Sequence, residues 1–203
     1  MLKILLKNKK FQSEIKNFFG KNNEKIVDIL LFGSTVKGKE KPEDIDIMLI
    51  FKSKIDRDLS YVLRKNLEKL KLNVEITSTT YSELFSSNFI ARESFLFEAY
   101  SLINHNYLSK AFGFESMVLF KYDLSKLNKS QKMMFYYSLY GRNKSSGMLS
   151  ELKAYKFLEG ALIVPLLNYE PAKNYFQNWK IKYVEVNMLI PQRILNSSDF
   201  RKF

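Results

Sequence analysis

The stretch Leu31-Phe32-Gly33-Ser34, nine further residues, and then Asp44-Ile45-Asp46 constrains this chain more than any other part of it. Ile26 to Phe32 and Ile45 to Phe51 are apolar runs of strand length, broken by Gly33-Ser34 and separated by the polar loop Lys37 to Glu43 with Pro42. They predict neighbouring buried strands. Side chains in a strand alternate between faces, so Asp44 and Asp46 point the same way while Ile45 and Ile47 point the other. Two carboxylates held that close repel each other unless a cation sits between them. Mg²⁺ takes such oxygen ligands and leaves positions open for substrate phosphates. Glycine at 33 allows the backbone to approach a phosphate where a Cβ would interfere. Ser34 adds a hydroxyl and is placed to cap a short helical turn, whose amides are donors at its positive end.

A third strand is predicted over Leu72 to Thr77, carrying Glu75 among apolar residues. A carboxylate buried there costs several kcal/mol without a cation or hydrogen bonds. Glu75 is therefore read as a third metal ligand beside Asp46, the other reading being the solvent face of an edge strand. Helical spacing marks residues 8–19 (Phe11, Ile15, Phe18, with Gly20 as the stop) and 56–70 (Leu59, Val62, Leu63, Leu67). Two more helices are expected over Thr80 to Phe89 and Arg92 to Asn104. The expected architecture is α+β, a mixed sheet with flanking helices over residues 1–104. A smaller basic α/β region follows over 105–203, with helices at 127–140, 149–158 and 172–179 and strands at 161–167 and 183–190.

Composition removes several classes of function. The chain has 203 residues, no cysteine and one histidine, which leaves no thiolate zinc site and no basis for a Ser-His triad. His105, between two asparagines, reads as a surface turn residue. No apolar run approaches the roughly 20 residues of a membrane span, so a cytoplasmic protein is expected. The net charge of +12 points to a polyanionic partner. The surplus is uneven: residues 101–203 carry 15 Lys and Arg against 7 Asp and Glu, residues 1–100 carry 18 against 14.

Leu-Phe-Gly-Ser, the following Lys37-Gly38, Pro42-Glu43-Asp44-Ile45-Asp46 and the later strand carboxylate together resemble the DNA polymerase β-like nucleotidyltransferase superfamily, most closely its small archaeal-type members. The resemblance covers residues 25–80 well and extends over the first hundred. It implies a palm-like fold and transfer of a nucleoside monophosphate from an NTP, ATP or CTP, to a hydroxyl. Asp44, Asp46 and Glu75 match the catalytic acids holding two Mg²⁺ ions, and Gly33 and Ser34 match the phosphate-binding turn. Lys37 falls where many members carry arginine and would meet a phosphate as a point charge rather than a fork. Glu75 stands where aspartate is common.

In the second half, Tyr136, Tyr137 and Tyr140 lead into the basic loop Gly141 to Gly147, where Arg142 and Lys144 are the expected nucleic-acid contacts. The acceptor expected first is therefore an RNA 3′ end of the tRNA class. A second expectation is adenylylation of a protein, as in minimal nucleotidyltransferase antitoxins acting on a HEPN-type partner. A third is an inactive nucleic-acid-binding module.

Overall fold

A computed structural model describes residues 2–87, 89, 92–142 and 145–197, and the chain divides into two compact units, residues 1–112 and 113–203. The sequence places the boundary near 105; in the structure residues 106–112 pack with the first unit.

The first unit is built on a five-stranded sheet of order β3-β2-β1-β4-β5. Its strands are β1 (Ile26–Phe32), β2 (Ile45–Phe51), β3 (Val74–Thr80), β4 (Tyr100–Ser101) and β5 (Asn106–Tyr107). β2 runs parallel to β3 and antiparallel to β1, so the sheet is mixed. β1 and β2 are apolar on both faces because both are covered: Ile29, Leu30, Leu31, Ile47 and Leu49 are all buried. A parallel pair needs a crossover, and the helix Arg57–Glu68 supplies it, capped by Asp56. Ser60 on this helix hydrogen-bonds Ser78 at 2.8 Å. Ser78 faces opposite to Glu75 along β3, so the helix covers the face away from the acids. The helix Lys9–Asn22 joins it there through Asn66 and Glu14 (2.8 Å).

That second helix runs through Gly20, the residue expected to stop it, and ends at Asn22. A Cβ at Gly20 would meet nothing within 4 Å. The glycine thus contributes only a backbone-entropy cost. Gly20→Ala is expected to raise stability by about 0.5–1 kcal/mol, read as a higher urea midpoint with an unchanged m-value.

Beyond β3 the expected pair of long helices gives way to shorter pieces. Thr80 and Glu83 form a reciprocal capping box on Tyr81–Leu84, and a helix spans Arg92–Glu98. The chain then turns into β4, where Leu30 and Leu31 of β1 pair with Ser101 and Tyr100. The side chain of buried Asp28 in β1 anchors this join, accepting from Ser101 Oγ (2.8 Å), its neighbour's amide at Ile29 (2.7 Å) and Asn104 Nδ2 (3.3 Å). Burial pushes the Asp28 carboxyl above the ordinary aspartate value, and those three hydrogen bonds oppose the push. Pairing of Tyr100 and Ser101 with β1 ends the helix that was expected to run on to Asn104.

The second unit is an antiparallel sheet of order β7-β8-β6-β9, with β6 (Phe114–Asp123), β7 (Tyr155–Leu158), β8 (Ala161–Pro165) and β9 (Lys182–Pro191). The helices Lys129–Tyr140 and Tyr169–Asn178 bring aromatics against it. Phe120 stacks on Phe176 at 5.5 Å, and Phe135 meets Trp179 edge-on at 5.5 Å. The helix expected over 149–158 is only Met148–Glu151; Lys153 adopts a positive φ and Tyr155–Leu158 becomes a strand. Its hairpin with β8 turns at Gly160, with φ +74. β6, which the sequence reading left unassigned, is the centre of this sheet.

Candidate active site

The acids meet where β1, β2 and β3 lie side by side. Asp46 is paired across to Phe32, the last residue of β1, and on its other side to Glu75 of β3. Asp44 immediately precedes β2. Its position is fixed by two bonds to the approach of β3: the Ile45 amide donates to the Asn73 carbonyl (2.9 Å) and Asn73 Nδ2 to the Glu43 carbonyl (2.9 Å). One carboxylate oxygen from each of Asp44, Asp46 and Glu75 lies within 4.8 Å of the others. The two aspartates are half-buried. Glu75 is exposed on edge strand β3, as the second reading of it had it, yet within reach of the aspartates, and desolvation falls on Asp46. Burial pushes the Asp46 carboxyl above its ordinary value, and the charges of Asp44, Glu75 and Glu98 push it further.

The turn after β1 is a short 3-10 helix, Gly33–Thr35, with Gly33 at φ +71. A Cβ at Gly33 would overlap the Asp46 carboxylate. Glycine is thus required by the neighbouring acid as well as by the backbone conformation. Ser34 lies inside the turn, and the capping position falls to Phe32, which makes no side-chain cap. Thr35 is fully buried, and its hydroxyl has no hydrogen-bond partner among the described residues.

The Lys37 ammonium pairs with Glu98 at 2.5 Å. Glu98 ends the helix Arg92–Glu98. No spacing in the sequence connects it to the acids, and sequence reasoning passed it over. The only signal for it was a lone acid between Phe97 and Ala99, both of which are buried.

In the second unit, the Arg142 guanidinium lies over the Tyr137 ring, 4.9 Å from its centroid. Tyr136 and Tyr140 stack on each other at 6.1 Å. Gly141 has φ +89, and a Cβ at Gly147 would run into the backbone of Leu139, Tyr140 and Gly141, so the two glycines close the neck of the basic loop. Lys144 lies outside the described residues. His105 is exposed at a positive φ.

Three carboxylates, two of them half-buried, form the donor set of a hard divalent cation such as Mg²⁺, which also favours the ionised form of Asp46 that its surroundings oppose. No helix among the described residues is long and apolar enough to cross a membrane.

The family model described as Polymerase beta, Nucleotidyltransferase matches residues 13–101, a span that includes β1 to β4 and all three acids. A comparison with curated proteins finds no match. Among solved structures, a mutant of the toxin–antitoxin MntA–HpeT is similar at 20% identity and a TM-score of 0.35, over 45% of this chain and 70% of that one. A toxin–antitoxin with AMP-PNP is similar at 22% identity and a TM-score of 0.35, over 45% of this chain and 71% of that one. The tri-AMPylated Shewanella oneidensis HEPN toxin in complex with MNT antitoxin gives 20% identity and 0.33, over 50% and 71%.

Proposed function

With residues 13–101 a polymerase β-type nucleotidyltransferase domain, we propose that this protein transfers a nucleoside monophosphate from an NTP, ATP or CTP, to an acceptor hydroxyl in a magnesium-dependent reaction. The acceptor hydroxyl gives up its proton to solvent, its oxygen bonds to the α-phosphorus, the bond from that phosphorus to the bridging oxygen breaks, and pyrophosphate leaves. The observation that carries this reading is the convergence of Asp44, Asp46 and Glu75 beside the Gly33 turn.

Asp44 and Asp46 would hold the ion that accompanies the triphosphate, and Asp46 with Glu75 a second. Magnesium bound there supplies charge neutralisation and makes a nearby hydroxyl more acidic. The remaining roles belong to the chain. Gly33 leaves room for the Asp46 carboxylate against the turn. Ser34 and Lys37 contact phosphate oxygens, the lysine as a point charge. Glu75, exposed at the sheet edge, stands where an acceptor can enter.

For the acceptor, a protein hydroxyl is put ahead of an RNA end. The aromatic side chains beside the basic loop already have partners: Arg142 lies over one face of Tyr137, and Tyr136 and Tyr140 stack on each other. The RNA reading keeps the support of the +12 charge. Labelled ATP and CTP with Mg²⁺ would be offered in parallel to pooled RNA and to the proteins of the native host. Label on a discrete protein band is expected. Label on RNA alone would reverse the order of acceptors, and magnesium-dependent label on neither would overturn the transferase reading.

A further inference from the structure

Resting on that reading of the nucleotide site, we propose that Glu98 is a positioning residue. It holds Lys37 away from the triphosphate until metal has neutralised the acids. The geometry of the pair points to this. Glu98 is rooted rigidly: the amide of the next residue, Ala99, donates to the Phe95 carbonyl at 3.0 Å, Ala99 is fully buried, and Tyr100 is already paired with Leu31 of β1. The Glu98 side chain is only 13% exposed, against 32% for Lys37. The backbone at Lys37 is fixed as well. Val36 is fully buried, its carbonyl accepts from the Tyr107 hydroxyl at 3.1 Å, and the Tyr107 ring packs edge-on against Tyr100 at 5.2 Å. Both partners are thus tied to one β4–β5 segment. The part left free to swing is the four-carbon stem of the lysine.

The charges around the pair give the arrangement a consequence. Glu98 lies close enough to Asp46 to add to the charges opposing its ionisation. Without metal, a triphosphate approaching the turn meets Asp44, Asp46, Glu75 and Glu98, and Lys37 is already neutralised. With metal bound, three of those acids are compensated. A polyanionic phosphate can then compete with a single carboxylate for the lysine. Glu98 thereby selects metal-bound nucleotide over free nucleotide.

The test is titration of the α,β-methylene analogue of ATP into wild type, Glu98→Gln, Lys37→Met and the double variant, each with Mg²⁺ and with EDTA. In EDTA, Glu98→Gln is expected to bind about three- to fivefold tighter than wild type, the scale of one part-exposed ion pair released. In the Lys37→Met background the same change should shift affinity by less than about twofold, and with Mg²⁺ its effect should be smaller than in EDTA. No tightening in EDTA, or equal tightening without Lys37, would overturn the proposal; the latter would make Glu98 a through-space repeller only. Magnesium-dependent binding by wild type with an unresponsive Glu98→Gln sinks this proposal and leaves the transferase reading standing. No binding by wild type sinks both. If the urea midpoint of Glu98→Gln shows misfolding, Glu98→Asp carries the same test, its shorter arm giving a smaller gain of the same sign.

Discussion

Asp46→Asn is expected to cut nucleotidyl transfer by about 10³-fold or more, roughly 4 kcal/mol of activation free energy. Asp46 is the acid common to both proposed ions, and it is the carboxylate that sits between its two counterparts in the sheet, paired to Glu75 and close to Asp44. The assay is the initial rate of label transfer at saturating NTP and Mg²⁺; a variant within tenfold of wild type would remove Asp46 from the chemistry. The same substitution separates catalysis from stability. The folded Asp46 carboxyl titrates above its ordinary value of 3.8. The stability tied to its protonated form is therefore complete below that ordinary value and is lost as pH rises through the folded one. Metal-free wild type should lose stability relative to Asp46→Asn across that window, and hold a constant deficit at higher pH. The comparison must be a difference. Asp56, Glu83 and Asp123 are held low by the hydrogen bonds they accept from Lys25, Thr80 and Ser125, and they contribute with the opposite sign. Urea midpoints of both proteins in EDTA, taken from acid to neutral pH, give that difference directly. Adding Mg²⁺ should close the gap.

Gly33→Ala is expected to cost about 2–3 kcal/mol of stability and about 10²-fold or more in transfer rate. Two penalties coincide there. The residue sits at φ +71, where a side chain is strained, and the new Cβ would occupy the space of the Asp46 carboxylate. Either the turn moves or Asp46 rotates away from Asp44 and Glu75. Gly113→Ala separates the two penalties, because Gly113 has φ +79 with nothing within 4 Å of its would-be Cβ. It should show the backbone cost alone, about 1 kcal/mol, with activity retained. If Gly33→Ala behaves like Gly113→Ala in both urea unfolding and turnover, the packing of the turn against the acid has no functional weight.

Much of the first sheet was legible in the sequence because its signals are local. The apolar runs Ile26 to Phe32 and Ile45 to Phe51 coincide with β1 and β2. Period-two alternation alone put Asp44 and Asp46 on one face. Glu75 was harder, since its place depends on the register of a parallel pair that only the crossover helix sets. The two-residue strands β4 and β5 carry no periodic signature; β4 exists because β1 offers it a partner, and β5 because β4 does. That pairing brings Glu98 to Lys37, which is why the ion pair was invisible in the sequence. In the second unit, the pattern over residues 149–158 suited a helix until Lys153 took a positive φ. Of the residues that mark the Lys129–Tyr140 helix in the sequence, Met133, Met134 and Tyr137 sit outside, while Leu139 faces inward together with Phe135.

The crossover between β2 and β3 also has a bearing on how the chain assembles. A tight hairpin would bring its two strands together early, but here everything from Lys52 to Asn73 must be gathered in before Asp46 can sit next to Glu75. The carboxylates are then drawn together at the end of that search, pressing on the seam they line. A divalent ion held by these acids would clasp the two strands, so that under the proposed reading magnesium would also stabilise the assembled sheet by mass action. In a magnesium-starved cell, this seam is where the first domain would be expected to loosen first.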